Sequence, residues 1–96
     1  MKAKLLFRKA LYQLDRGLLI QARENLQQAI DLAREERDRV TLVGALCCLG
    51  DYLAQVGELE GAKPLLKEVL TFGSEEDLFN YEIRRARELL HDMGDC

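Results

Sequence analysis

Apolar residues recur at three- and four-residue spacings along almost the whole chain, a pattern typical of amphipathic helices. The apolar stripes predict five helices, at about residues 2–15, 18 or 19 to 37, 39 or 40 to 56, 58–72 and 75–93. Leu, Ala, Glu, Arg, Lys and Gln dominate the stripes and the positions between them, and these residues are strong helix formers. The pattern therefore predicts an all-α protein.

Glycines mark the predicted helix ends. Gly17, Gly57, Gly73 and Gly94 each follow an apolar stripe, where a left-handed residue commonly closes a helix. Ser74, with acidic residues after it, is the expected N-cap of the fifth helix.

Three further residues inside the predicted helices are unusual for a helix interior. Gly44 and Gly50 lie inside the third helix, where each costs about 1 kcal/mol relative to Ala, so we expect a neighbouring helix to approach them closely. Pro64 lies near enough to the start of the fourth helix that we expect the helix to continue through it.

The first part of the chain repeats at an offset of 40 residues, without a gap. The matched pairs include Leu6/Leu46, Ala10/Gly50, Tyr12/Tyr52, Gly17/Gly57, Ala22/Ala62, Leu26/Leu66 and Ile30/Leu70. A third step pairs Val43 with Ile83 and Leu49 with Leu89, so the fifth helix resembles the first half of another unit. The predicted fold is an α-solenoid of two antiparallel helical hairpins and a C-terminal capping helix. We expect one domain over residues 1–96, with repeats at about 3–36 and 40–73 and the capping helix at about 75–93.

The second unit resembles a tetratricopeptide repeat (TPR). It has Leu46, then Leu49-Gly50, then Leu53 in its first helix, and Ala62 and Leu66 in its second. Ala62-Lys63-Pro64-Leu65 is similar to the Ala-x-Pro-Leu of longer-period members of the family, although other helical-hairpin repeats also fit. The family period is about 34 residues. The six extra residues here fit the charged run 34–39, as a longer second helix or as a longer loop.

Composition and charge narrow the possible functions. The net charge is −3, which gives no case for nucleic-acid binding. No apolar run approaches the length of about 20 residues that a membrane span needs. The three cysteines, Cys47, Cys48 and Cys96, do not form a disulfide framework, so we expect free thiols and a cytoplasmic location.

No catalytic or metal-binding constellation is recognisable. His91 is the only histidine, and Cys47 and Cys48 point about 100° apart on a helix. No glycine-rich phosphate loop is present. We therefore predict a protein that is not an enzyme and that has no metal or cofactor. We expect Cys47 to be exposed and Cys48 to be partly buried.

The TPR resemblance implies a concave groove lined by the first helix of each unit. Carried over at the 40-residue offset, its candidate partner-binding residues are Lys4, Phe7, Arg8, Leu11, Cys47, Asp51, Arg84, Arg87 and His91. These residues favour an extended or helical peptide with acidic residues around an apolar anchor. The competing interpretation is that the charges are ordinary surface charges and that Phe7 and Leu11 are core residues or contacts to another copy. The Lys and Asn residues by which some TPR domains clamp acidic chaperone tails are absent at the matching positions.

We therefore predict a protein–protein interaction module, a scaffold or adaptor that binds a protein or peptide. One alternative is a homodimerisation module, because the open ends of a short solenoid expose apolar surface. The other is a TPR fragment of a larger regulatory protein.

Overall fold

The computed structural model describes residues 2–73 and 77–94. These ranges contain five α-helices, namely α1 (Lys2–Asp15), α2 (Leu19–Glu36), α3 (Arg39–Gln55), α4 (Leu59–Leu70) and α5 (Asn80–Asp92). None of the described residues belongs to a β-strand. The predicted all-α class and the five helices are confirmed for this part of the chain. The predicted limits of α1 to α4 agree with the observed limits to within two residues.

The chain divides into two compact units, unit 1 (Met1–Ala45) and unit 2 (Leu46–Cys96). Unit 1 contains α1, α2 and the first part of α3, and unit 2 contains the rest of α3 together with α4 and α5. The prediction of a single domain over residues 1–96 stays a prediction.

In unit 1, α1 and α2 form an antiparallel hairpin. Glu36, at the end of α2, accepts hydrogen bonds from the backbone N–H groups of Lys2 and Ala3 at distances of 3.1 and 3.2 Å. The start of α1 has no intrahelical partners for these donors, so a carboxylate from α2 supplies them. Near the other end of α1, the Asn25 amide donates to Gln13 Oε1 at 2.7 Å, which satisfies the buried Gln13 side chain.

In unit 2, α3 and α4 also form an antiparallel hairpin. A Cβ added to Gly50 of α3 would lie 2.7 Å from Cδ2 of Leu66, and one added to Gly61 of α4 would lie 3.4 Å from Cδ1 of Leu53. Gly50 thus faces the later residue Leu66 of α4, and Leu53 faces the earlier residue Gly61, which is the order of an antiparallel pair. The close approach predicted at Gly50 is confirmed, and the one predicted at Gly44 is confirmed in unit 1, where the neighbour is the ring of Phe7.

Three helices end in the same hydrogen-bonded turn. Leu18 N–H donates to Gln13 O at 2.9 Å, Asp38 N–H to Ala33 O at 2.9 Å, and Glu58 N–H to Leu53 O at 2.8 Å. In each turn a backbone N–H donates to the carbonyl five positions earlier, and the residue just before the donor is left-handed. This arrangement is the Schellman motif.

The left-handed residues of the three turns are Gly17 (φ +76°), Arg37 (φ +58°) and Gly57 (φ +86°). The predicted helix ends at Gly17 and Gly57 are therefore confirmed. The third turn holds an arginine where the other two hold glycine.

The charged run 34–39 forms the end of α2 and the start of α3. Helix α2 has 18 residues and α4 has 12, so the six extra residues of the first repeat lengthen its second helix rather than its loop. Asp38 Oδ1 accepts the backbone N–H of Thr41 at 3.1 Å and caps the start of α3. Hydrogen bonds from the Thr41 side chain and backbone lower the pKa of Asp38, and Lys4 adds to this, against a smaller opposing influence of burial.

Helix α4 continues through Pro64, as predicted, but it ends at Leu70 rather than at Phe72. Helix α5 begins at Asn80 rather than near residue 75, so the predicted start is wrong for the described residues 77–79. The expected cap, Ser74, lies outside the described residues. Phe79 precedes α5 and is 2% exposed, and its ring meets that of Phe72 edge-on at 5.7 Å between centroids. Phe79 is thus buried and Phe72 half-buried in this contact, and residue 79 lies outside the helix.

Candidate partner-binding surface

The candidate residues of unit 1 lie on α1 with different degrees of exposure. Lys4, Arg8 and Leu11 are exposed, and Leu11 keeps 39% of its surface open to solvent. These three residues follow the four- and three-residue steps of one helix face, whereas Ala3 and Ala10 on the α2-facing side are fully buried. We call Lys4, Arg8 and Leu11 the α1 strip.

Phe7 differs from its neighbours in the predicted set, because its ring is half-buried against α3. A Cβ on Gly44 would lie 2.9 Å from Cε2 of Phe7, which is closer than real carbon contacts allow. Gly44 therefore leaves the space that the ring occupies. The structure places Phe7 as a packing contact inside unit 1, which agrees with the competing interpretation made from the sequence for this residue.

In unit 2, the candidate Asp51 is held by an arginine of α5. Arg85 Nε donates to Asp51 Oδ2 at 3.0 Å and Arg85 Nη2 donates to Asp51 Oδ1 at 3.1 Å, a two-pronged arrangement typical of Arg–carboxylate pairs. Gln55 also donates to Asp51 Oδ1 at 2.9 Å. Both charged side chains are less than one third exposed. The fork ties α3 to α5.

The protonation of Asp51 follows from these contacts. Burial, the largest single influence, raises the pKa of Asp51, but the hydrogen bonds from Arg85 and Gln55 and the charge of Arg85 outweigh it. The pKa of Asp51 is therefore lowered. The pKa of Arg85 is raised, chiefly by its hydrogen bond to Asp51, so both groups stay charged at neutral pH.

Cys47 is buried, with 4% of its surface exposed, and the expectation that it lines an open groove is wrong. Its Sγ lies 3.9 Å from the backbone oxygen of Glu82 in α5, so α5 covers this face of α3. Burial and the nearby carboxylates of Glu82 and Asp51 raise the pKa of Cys47 to about 12.

Cys48 is partly buried, as expected, and burial followed by the charge of Asp51 raises the pKa of its thiol to about 11. Both thiols are protonated at neutral pH and are therefore weak nucleophiles.

The two contacts between α3 and α5 show that these helices run parallel. Cys47 contacts Glu82, and one turn further along both helices Asp51 contacts Arg85. The 40-residue offset did not identify Arg85, because it relates Asp51 to His91. Residue spacing alone does not determine the register of α5 against α3.

The remaining candidates, Arg84, Arg87 and His91, are exposed on α5. Their spacing of three and four residues keeps them on one face, next to the fork but not part of it. We call these three residues the α5 strip. The α1 strip in unit 1 and the α5 strip in unit 2 are thus the exposed members of the predicted set.

Two searches of the described residues concern other kinds of site. Within residues 2–73 and 77–94, no group of three or more His, Cys, Asp or Glu side chains is arranged to hold a metal ion. No helix in that part of the chain is both long enough and apolar enough to cross a membrane. Comparison of the chain with protein-family models, with curated proteins and with solved structures gave no match.

Proposed function

We propose that this chain is a non-catalytic protein–protein interaction module of the tetratricopeptide-repeat type, a scaffold or adaptor that binds acidic peptide segments. The observation that carries the proposal is the α1 strip. Lys4 and Arg8 stand one turn apart and the exposed Leu11 follows Arg8, so two cations lie to one side of an apolar side chain that solvent can reach. A segment that places acidic residues beside an apolar anchor is complementary to this surface.

The charge distribution supports an acidic partner. The chain as a whole has a net charge of −3, yet α1 contains four basic residues, Lys2, Lys4, Arg8 and Lys9, against one acidic residue, Asp15. A basic helix in an acidic protein attracts acidic segments and accelerates their encounter, and salt weakens the effect. The α5 strip is a second basic surface, in unit 2. The concave groove predicted from the sequence stays a prediction.

A labelled synthetic peptide with glutamates on both sides of a Leu-Phe pair tests the proposal, with fluorescence anisotropy as the readout. The double variants Lys4→Glu/Arg8→Glu and Arg84→Glu/Arg87→Glu reverse two charges each. We expect at least one of them to weaken binding by about tenfold, equivalent to about 1.4 kcal/mol. Lys63→Glu on α4 is the control, because it reverses a charge outside both strips.

The outcome separates a binding strip from ordinary surface charge. Loss of affinity in one strip variant, with little change in Lys63→Glu, supports the proposal and locates the surface. Unchanged affinity in both strip variants would show that neither strip contacts the peptide, and an equal loss in Lys63→Glu would show that the peptide responds only to overall charge. Either result would overturn the proposal.

Self-association is a second candidate function, because several large apolar side chains are exposed. Ile20, Val40 and Tyr81 keep 75%, 62% and 69% of their surfaces open to solvent. Exposed apolar groups of this kind mark contact surfaces when they cluster. Light scattering over a wide concentration range decides between the candidates, since a mass that stays monomeric removes self-association.

The free thiols of Cys47 and Cys48 support the cytoplasmic location as part of the proposal, because disulfides are rare in that compartment.

A further inference from the structure

Helix α1 and Arg16, the residue that follows it, carry a second exposed surface, on a different side from the α1 strip. Lys2, Leu5, Lys9, Tyr12 and Arg16 follow one another at alternating steps of three and four residues. We call these five residues the heptad stripe. The cations recur every seven residues, and so do the apolar side chains between them. Leu5 is 63% exposed and Tyr12 is 56% exposed, so both apolar members face solvent.

A heptad spacing is the pattern by which one helix pairs with another. Residues that alternate at steps of three and four form a straight seam along a helix and fit between the side chains of a partner helix. The stripe extends over about 21 Å of helix, at about 1.5 Å per residue.

An open apolar cavity of about 310 Å³ lies beside the start of the stripe. Its walls are Leu5 and Leu6 of α1, Leu32 of α2, and Lys2 and Lys9 of the stripe. The lining is almost wholly apolar, so the two lysines border the cavity through the methylene groups of their side chains. The volume is at the lower end of the range of about 300–1,000 Å³ for ligand-binding clefts and suits a large apolar side chain that anchors a partner.

At the other end of the stripe, Arg16 stacks on Tyr12, with its guanidinium carbon 4.9 Å from the ring centroid. This cation–π contact keeps a cation next to the second apolar member of the stripe. Both ends of the stripe thus present an apolar side chain beside a positive charge.

We propose that the heptad stripe binds an amphipathic partner helix that presents one acidic and one large apolar side chain in every seven residues. The acidic groups of such a helix lie opposite Lys2, Lys9 and Arg16, and its apolar groups lie against Leu5 and Tyr12. Opposite charges along a helix seam select the partner and fix its register.

A second copy of this chain does not fit the stripe through its own α1. An antiparallel pair centred on Lys9 brings Lys9 against Lys9 and Lys2 against Arg16, and a parallel pair sets every cation against itself. Like charges placed opposite each other disfavour the wrong partner. Pairing through α1 of a second copy is therefore disfavoured, and the occupant that the charges of the stripe favour is an acidic helix of a different protein.

The heptad stripe is separate from the α1 strip of the proposed function. Lys4 and Arg8 stand one residue, about 100° of helix, away from Leu5 and Lys9. Variants of the two surfaces can therefore be made independently, and this inference stands whether or not the α1 strip binds acidic peptides.

A charge-swap experiment tests the inference. The probe is a synthetic helix of about 21 residues with Glu and Leu at the two seam positions of each heptad, and a second probe has Lys in place of Glu. Fluorescence anisotropy measures the affinity of each probe at low and at high salt. We expect the wild-type chain to prefer the Glu probe by about tenfold or more, and this preference to shrink as salt is raised.

Three variants assign the contact. Lys9→Glu should weaken the Glu probe and strengthen the Lys probe. Leu5→Ser should weaken the Glu probe by about tenfold without lowering the urea midpoint, because Leu5 is mostly exposed and adds little to the core. Lys4→Glu/Arg8→Glu should leave the preference between the probes in place.

Each opposite result overturns the inference. Equal affinity of the wild-type chain for both probes would show that the stripe does not select an acidic partner. An unchanged preference in Lys9→Glu, or a preference lost only in Lys4→Glu/Arg8→Glu, moves the contact away from the stripe. A concentration-dependent dimer that Leu5→Ser dissociates would assign the stripe to a second copy.

Discussion

Gly50 and Gly61 both lie inside helices of the α3–α4 hairpin, yet replacing each with alanine should shift stability in opposite directions. A Cβ at position 50 would stand 2.7 Å from Cδ2 and 2.8 Å from Cγ of Leu66, whereas unstrained carbon contacts are about 3.5–4.0 Å. Leu66 is fully buried and cannot move outward. A Cβ at the exposed position 61 would meet Leu53 at 3.4 Å, an ordinary contact.

The expected magnitudes follow from two opposing effects. Overpacking a core costs about 1–3 kcal/mol. Replacing a helix-interior glycine by alanine gains about 0.5–1 kcal/mol. Gly50→Ala should therefore lower the free energy of unfolding by up to about 2.5 kcal/mol, and Gly61→Ala should raise it by about 0.5–1 kcal/mol.

Urea unfolding, followed by the helical circular dichroism signal, measures both changes through the transition midpoint at constant slope. A double variant tests the cause. In the Gly50→Ala background, Leu66→Ala should cost less than it does in the wild-type chain, because it relieves the contact that the new Cβ creates. If Gly50→Ala stabilises the protein as much as Gly61→Ala does, helix propensity alone governs both sites and the close approach of α4 to Gly50 is refuted.

Two further predictions concern the turn after α2 and the thiols of α3. Arg37→Gly should raise the free energy of unfolding by about 0.5–1 kcal/mol, because a left-handed conformation costs an L-residue about 1–2 kcal/mol and the greater freedom of glycine in the unfolded chain removes part of the gain. Glu35→Gly, inside α2, should lower the free energy of unfolding by about 0.5–1 kcal/mol in the same urea assay. A lower stability for Arg37→Gly would contradict the explanation. In a Cys96→Ser background, Cys47 and Cys48 should react slowly with iodoacetamide at pH 8, since their raised pKa values of about 12 and 11 leave almost no thiolate. Unfolding the chain should restore the reactivity of ordinary thiols, and fast labelling of the folded protein would show that burial does not control these groups.

The helix ends were predictable from the sequence where a glycine marks them. Gly17 and Gly57 have the left-handed conformation that the apolar stripes and glycine positions indicated. Gly44 and Gly50 sit where a neighbouring side chain leaves no room for a Cβ. In each case a positive φ or a close contact requires glycine, so the residue type alone indicates the local structure.

The start of α5 was not predictable in the same way. Ser74 and the acidic residues after it form a good local capping signal, but residues 77 to 79 are not helical. Phe79 buries its ring in a contact with Phe72, a residue seven positions earlier that a local capping signal does not include. Local capping preferences of about 1 kcal/mol are small against the burial of a large aromatic side chain.

The candidate surface also has one part that could be predicted from the sequence and one part that could not. Exposure of Lys4, Arg8 and Leu11 follows from helical periodicity, which the sequence contains. The pairing of Asp51 with Arg85 and the covering of Cys47 depend on the register of α5 along α3. The 40-residue step identifies equivalent positions of α3 and α5, whereas the contacts join positions that are not equivalent, Cys47 with Glu82 and Asp51 with Arg85, which are 35 and 34 residues apart.

The structure shows a spacing of 20 residues between helix ends, which is half of the 40-residue period seen in the sequence. The left-handed residues Gly17, Arg37 and Gly57 are spaced 20 residues apart, and each closes the same six-residue hydrogen-bonded turn. One helix and its turn therefore make one step, and two steps make the 40-residue period. Arg37 conceals the half-step because a search for glycines does not find it. The charged run around Arg37 is thus the end of one helix and the cap of the next, and it lengthens α2 to 18 residues where α4 has 12.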